Sequence, residues 1–277
     1  MRAVAAGARL QGIALLGVVE RNAYLARRYG FWELAFFVWT VANTLTIVFI
    51  ADGVEAAGGQ LDVARATTVL LIGAVVWSYL GILFEILTET VAWERWEGTI
   101  EYTFMAPLSR PVHLIGMGLF AVCYGLVRAS LVFGVVAAFF GLHMPDASFG
   151  TALLLLGVAS VSFIGIGMMT AVLPLISPEK GTQLGFMAQG VMLVVSGVYY
   201  PVSVLPDWMQ AISTISPATY ALRGIRSAIL EGAGPADVWG DLWPLLVIGA
   251  VSIPLGLWVF RRGERYAKRH GKLKRSG

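Results

Sequence analysis

His113, His143 and His270 stand in separate segments, without the short spacing by which histidines, cysteines and carboxylates close on a metal ion. No nucleophile elbow or zinc signature accompanies them. Cys123 is the one cysteine; it has no partner for an internal disulfide, and inside an apolar run it reads as a small buried residue. Phosphate chemistry fails on spacing. A phosphate-binding loop needs G-x-x-x-x-G-K-[ST], whose backbone N–H groups cradle phosphates while the lysine neutralises them. Lys180, Lys268, Lys272 and Lys274 all lie outside that pattern. No catalytic, cofactor-binding or metal residue is assigned, and the chain is expected not to be an enzyme.

The charges that remain informative interrupt apolar runs. Arg128 falls near the middle of one, where an unpaired cation in hydrocarbon costs at least ~2.5–3.5 kcal/mol. It must face a carboxylate, water or the interior of a bundle, and a structural pair and a lining role stay open. Glu33 and Glu85 fall near the ends of their runs, where water and headgroups are close. Gln189 lies near the middle of another run and is expected to seek a partner across helices.

Two connections are long enough to hold function. One, at 88–111, reads ETVAWERWEGTIEYTFMAPLSRP over most of its length. Glu94, Glu97 and Glu101 follow helical spacing, Trp93, Trp96 and Met105 are interleaved, and Pro107 and Pro111 close the segment. This predicts a short amphipathic helix ended by proline, suited either to a partner's groove or to the headgroup layer. The other, at 205–241, follows Tyr199, Tyr200, Pro201 and Pro206, which end the preceding run. A short apolar helix is expected over Trp208–Ile215 and a second from Pro217 to about Leu230, carrying Tyr220, Arg223 and Arg226. Both are too short to span, and together they form a candidate gate at one membrane face.

The elements that position these residues are apolar. Of 277 residues 57% are hydrophobic and 13% charged, a charge deficit that argues for lipid around most of the chain. Six runs, Phe31–Ile50, Ala66–Leu87, Val112–Leu142, Phe149–Ile176, Gln183–Val204 and Leu242–Phe260, each reach about 18 residues, enough helix to cross a ~30 Å hydrocarbon core. Continuous rather than alternating hydrophobicity excludes a barrel. The fold class is therefore an all-α integral membrane protein, a single transmembrane domain over 1–277 with six spans. Its segments are 1–30, 31–87, 88–111, 112–204, 205–241, 242–260 and 261–277.

The net charge of +3 comes from basic residues at the chain ends and beside the runs, which points to membrane orientation rather than nucleic acid. With both termini inside, the cytoplasmic segments hold sixteen of the 20 Lys and Arg: Arg2, Arg9, Arg21, Arg27, Arg28, Arg95, Arg110, Lys180 and eight from Arg261 to Arg275. The positive-inside rule then gives N-in and C-in. Ahead of the first span Leu15, Leu16, Val19, Ala23 and Ala26 share a helical face opposite Arg21 and Arg28. An interfacial helix is expected there, its arginines toward headgroups or a partner. No cleavable signal peptide is read at the N-terminus, and no internal repeat supports an inverted-repeat carrier.

In its order of parts the chain resembles the type-2 ABC transporter permeases, the membrane subunits of bacterial ABC exporters. The resemblance is carried by GTIEYTFMAPLSR after the second run and by GVYYPVSVLPDWMQAISTISPATYALRGIR after the fifth. It implies two six-span subunits, identical or paralogous, in the cell membrane and among its lipids. Each is seated on a separate cytoplasmic ATPase that holds ATP and Mg. It implies that Glu94, Glu97, Gly98, Thr99 and Glu101 form the ATPase-coupling segment. The candidate pathway and dimer interface is then the fifth span, with Phe186, Gln189 and Ser196; Trp77, Tyr79 and Arg128 are further candidates. The extracellular gate comprises Tyr199, Tyr200, Pro201, Pro206, Trp208, Pro217, Tyr220 and Arg223. A hydrophobic drug, antibiotic or lipid-like cargo is expected. The alternatives are a polysaccharide or glycolipid exporter, an ion-coupled carrier, and a membrane-embedded lipid enzyme.

Overall fold

The structure, a computed structural model, describes residues 2–56, 62–105, 108–177 and 180–271, the side chains of 2–9 and 104 excepted. Pro107, Lys272, Lys274 and Arg275, and the side chains of Arg2 and Arg9, lie outside what is described. The described residues hold eleven α-helices, one 3-10 turn and no strand.

The helices are α1 (Arg2–Arg28), α2 (Gly30–Ala56), α3 (Val63–Trp96), α4 (Ile100–Met105), α5 (Arg110–Phe139), α6 (Phe149–Thr170), α7 (Val172–Ile176), α8 (Gly181–Val195), α9 (Asp207–Ser213), α10 (Pro217–Leu230) and α11 (Trp239–Arg269). Five stretches are long and apolar enough to cross a membrane: α2, α3, α5, α6 with α7, and α11.

The fifth expected span, Gln183–Val204, is only partly helical. Its helix stops at Val195, giving 15 residues, or ~22 Å at ~1.5 Å per residue, short of a ~30 Å core. The stop is local. Ser196 turns its hydroxyl back onto the Met192 carbonyl, and Gly197 takes φ +67°, which a side chain disfavours. Hydropathy continues past this point, but the backbone does not.

α3 is the spine. It packs against α2, α5, α6, α8 and α10, and 61% of its most apolar window is buried, against 17% for α2 at the periphery. Its Tyr79 is fully buried with its hydroxyl against Ser160 of α6, and Phe84 meets Phe163 edge-on at 5.7 Å. α6 lies along α11 at very close range: a Cβ on Gly165 would strike Ser252, and one on Gly256 would strike the Gly165 carbonyl. Small residues at that seam let two backbones meet where lipid offers no hydrophobic drive.

α10 matches its expected bounds and is buried in the bundle. Proline at N1 starts it, and Ala218, Ala221, Leu222, Ile225, Ala228 and Ile229 bury it among α3, α6 and α11. One expectation is corrected: Cys123 is exposed on α5 rather than buried. In α1 the buried positions are Val18 and Asn22, packed toward α5, while Leu16 and Ala23 of the predicted apolar face are exposed, as a face toward lipid would be.

Candidate functional site

α3 continues through Trp96 and breaks at Glu97 and Gly98. Gly98 takes φ +77°, and the chain turns into α4. The last turns of α3 have two faces at i, i+3, i+4 spacing. Trp93, Trp96 and Glu97 point out, while Val91, Glu94 and Arg95 point in. α4 adds exposed Glu101, Tyr102 and Met105, and Ile100, 1% exposed, anchors it. The outcome is a protruding aromatic and acidic knuckle, with Trp93 and Trp96 edge-to-face at 6.1 Å.

Of the predicted coupling residues, Glu97 and Glu101 lie on this knuckle, Gly98 makes its turn, and the Thr99 hydroxyl donates to the Glu94 carbonyl at 3.4 Å. Glu94 is placed elsewhere, in the last turns of α3 with its side chain 4% exposed. Its carboxylate accepts from Arg21 of α1 at 2.7 Å, so Arg21 points at the bundle instead of headgroups.

The knuckle is tied inward at two points that the sequence reading missed. Arg95, 5% exposed, donates from Nη1 to the carbonyls of Leu175 at 2.7 Å and Pro174 at 3.2 Å. These carbonyls belong to the end of the α6–α7 rod, where a cation is favoured by the helix dipole and satisfies groups the helix cannot. Arg110, at the start of α5, donates to the Thr103 carbonyl of α4 at 3.2 Å and to Glu264 of α11 at 3.1 Å. Lys268 also reaches Glu264, at 2.7 Å. The face periodicity at 91, 94 and 95 was the available signal for Arg95; nothing in the sequence pairs Arg110 with a residue 154 positions away.

The fifth-run residues fall in two places. Phe186 and Gln189 line a narrow cleft between α8 and α3, shared with Phe84, Glu85, Thr88, Glu89 and Thr182. Gln189 reaches across the helices, its Nε2 packed where a Cβ on Gly81 would lie 2.8 Å away. Ser196 is not in this cleft; its hydroxyl meets Ser216 at 2.7 Å and joins α8 to the start of α10. Trp77 is half-buried against the core, and Tyr79 lies inside it. Arg128 faces α2, donating to the Phe36 carbonyl at 2.6 Å, Thr40 Oγ1 at 2.8 Å and the Tyr124 hydroxyl at 3.2 Å. Tyr124 in turn donates to Glu33. Of the two interrupted-run carboxylates, Glu33 thus accepts a hydrogen bond from a tyrosine and Glu85 lines the cleft.

At the opposite end, Tyr199 is half-buried against the core, Tyr200 donates to the Val194 carbonyl at 2.5 Å, and Pro201 and Pro206 flank the 3-10 turn Val202–Val204. Trp208 of α9 is 66% exposed, while Pro217 is buried at the start of α10. Tyr220 donates to the Thr214 carbonyl at 2.6 Å, and Arg223 lies 5.4 Å from its ring centroid. Arg223 also donates to Asp241 of α11 at 2.6 Å. Arg226 donates to the carbonyls of Gly197 and Val198, and its burial lowers the guanidinium pKa from the usual arginine value. Asp241 was not singled out from the sequence, being one of several acids in a loop-like stretch.

The ABC-2 type transporter family matches residues 21–230. The chain is 28% identical over 180 residues to the probable multidrug ABC transporter permease YbhR of Escherichia coli (strain K12), covering 62% of this chain and 46% of that protein. It is 26% identical over 185 residues to the linearmycin resistance permease protein LnrN of Bacillus subtilis (strain 168), covering 65% and 47%. Nodulation protein J of Sinorhizobium fredii is 26% identical over 214 residues, covering 75% and 80%. The match thus spans about half the length of the first two relatives. With five membrane-length apolar helices and a family match over most of its length, this multi-pass membrane protein belongs to the ABC-2 type transporter family.

Proposed function

We propose that this chain is the permease of an ATP-driven exporter, working as a dimer on a separate cytoplasmic ATPase that supplies ATP and Mg. The observation that carries the reading is the knuckle. Trp93, Trp96, Tyr102 and Met105 are each more than half exposed, beside Glu97 and Glu101, at an end where arginines gather. An aromatic-acidic projection wired into the bundle suits a groove on a moving partner. Motion entering at α4 is passed by Arg95 to the α6–α7 rod and by Arg110 to α5 and α11. From α7 it reaches α8, because Gly181 packs directly on the Leu173–Pro174 backbone.

In this reading the chain crosses six times, with α8 and the irregular Ser196–Tyr200 segment together making the fifth crossing. The basic ends place both termini in the cytoplasm. The α3–α8 cleft, with Phe186 and Gln189, lies on the pathway, and α8's exposed Met187 and Val191 meet the second subunit. The segment from Tyr199 to Arg223 gates the far side. Alternating access follows if the ATP-bound ATPase dimer contacts the knuckle differently from the open one. The apolar bundle and the names of the multidrug and linearmycin-resistance relatives favour a hydrophobic drug, antibiotic or lipid-like cargo.

The test is co-purification in mild detergent followed by reconstitution. A nucleotide-binding partner should accompany the chain, and deleting Glu97–Glu101 should leave insertion intact while uncoupling ATP hydrolysis from export. Coupled export by the deletion variant, or cargo movement with no ATPase present, overturns the proposal.

A further inference from the structure

A cavity of about 290 Å³ lies between α3, α5, α6 and α10, away from the α3–α8 cleft. Its walls include Ile72, Val76, Ala129, Phe133, Leu153 and Ile229, and every lining residue except Ser130 is apolar. Phe133 and Phe149 close one wall edge-to-face at 6.1 Å. Phe149 and Leu153 are 48% and 50% exposed, so the mouth opens sideways between two membrane-length helices. Water gains nothing in a cavity lined this way, whereas the hydrocarbon of the bilayer is in direct contact with the mouth.

Two of the walls lead to a charged pair. Arg65, Ile72 and Val76 fall within about 40° on one face of α3, at 100° per residue. Ile225 and Ile229 line the cavity from α10, and Glu231 caps that helix. Arg65 Nη2 and Glu231 Oε1 meet at 3.9 Å, with both side chains more than 60% exposed. That is a loose pair, with its donors and acceptors still open to a third group.

We propose that this cavity binds one acyl chain of a zwitterionic phospholipid, phosphatidylethanolamine, whose phosphate sits on Arg65 and whose ammonium sits on Glu231. The charges fit in sign and order: a cation for the phosphate, a carboxylate for the amine, and an apolar slot that begins about two helical turns along α3 from Arg65. A purely anionic headgroup would leave Glu231 unfavourably placed. Because α10 forms one wall, the bound chain buttresses the helix that joins the gate segment to the bundle.

The experiment uses the full chain in vesicles of equimolar phosphatidylethanolamine and phosphatidylglycerol, each doped in turn with a version carrying a photoreactive diazirine on the acyl chain. Labelling by the ethanolamine lipid should map by mass spectrometry to Phe133, Leu153 and Ile229. Filling the slot with Ala129→Phe and Ala152→Phe should lower that labelling by about tenfold, a loss of about 1.4 kcal/mol in binding. Leu153→Trp, at the rim, serves if the filled variant does not fold. Arg65→Ala with Glu231→Ala should keep chain labelling but remove the preference for ethanolamine over glycerol. Labelling spread evenly over α2 and α5, unchanged by the filling variants, overturns the site. So does a Leu153→Cys variant that forms a disulfide dimer in native membranes, because a second copy would then cover the mouth.

Discussion

Arg95 Nη1 donates to the Leu175 carbonyl at 2.7 Å, joining the last turn of the central helix to the end of the α6–α7 rod. No carboxylate takes this arginine among the described contacts; main-chain oxygens do. Replacing Arg95 with Leu leaves the Leu175 and Pro174 carbonyls buried and unmet, at a cost of about 1–3 kcal/mol. Lysine keeps the charge but reaches one carbonyl. The expected order of melting temperature in detergent is wild type, then Arg95→Lys, then Arg95→Leu. If the chain works as the proposed exporter, ATP turnover per molecule exported should rise in the same order. A melting temperature and coupling ratio unchanged in Arg95→Leu would remove Arg95 from the relay.

Gly98 supplies the reversal between α3 and α4 at φ +77°. An L side chain there costs about 1–2 kcal/mol in backbone strain, and the strain is relieved by extending α3 or unwinding α4. Gly98→Ala is expected to insert normally yet bind the proposed ATPase partner more weakly, while Gly98→Asn, which tolerates that region, should retain most binding. Affinity measured by pull-down at graded ATPase concentration checks both.

These two sites show what the sequence made legible. The long apolar helices, the Pro217 start of α10 and the projecting Trp93, Trp96 and Glu97 follow from periodicity and composition, which are local properties. The inward face at Val91, Glu94 and Arg95 is local too, but a run so rich in charge reads as solvated until its partners are known. Those partners are remote: Arg21 pairs with Glu94 across 73 positions, and Arg95 with Leu175 across 80. The early end of α8 escaped for another reason. Hydropathy averages over Ser196 and Gly197, while helix termination is decided by those two residues alone.

Arg223 and Asp241 join α10 to α11 with unequal exposure, 60% for the arginine side chain and 11% for the aspartate. Removing the arginine strands a mostly buried carboxylate, whereas removing the charge on the aspartate leaves an arginine that water can reach. Arg223→Ala should therefore destabilise more than Asp241→Asn, by about 1–2 kcal/mol, and Asp241→Asn should rescue part of the loss when combined with it. A double-mutant cycle on thermal unfolding gives the coupling; additive effects would mean the pair contributes nothing.

Arg128 is the polar fastening of a helix that has little else to hold it. α2 buries only Thr44, Val48 and Ala51 among its side chains, all in its second half. Its first half has the half-buried Phe37 and Val41 against the core, and its polar ties are Arg128, through the Phe36 carbonyl and Thr40, and Tyr124, through Glu33. A cation on α5 that leaves hydrocarbon only by bonding α2 makes the two helices dependent on each other. Arg128→Leu removes the cost of the charge along with its bonds, so the bundle should still insert and melt within a few degrees of wild type. The first half of α2 should nevertheless come loose. Deuterium uptake over residues 31–43 is expected to rise severalfold, while uptake over residues 71–87 of α3 stays unchanged. Tyr124→Phe, which removes the Glu33 link and one of Arg128's acceptors but keeps Arg128's bonds to Phe36 and Thr40, should give a smaller rise confined to residues 31–36. Equal protection of residues 31–43 in wild type and Arg128→Leu would show that apolar contacts, not Arg128, hold the first half of α2 in place.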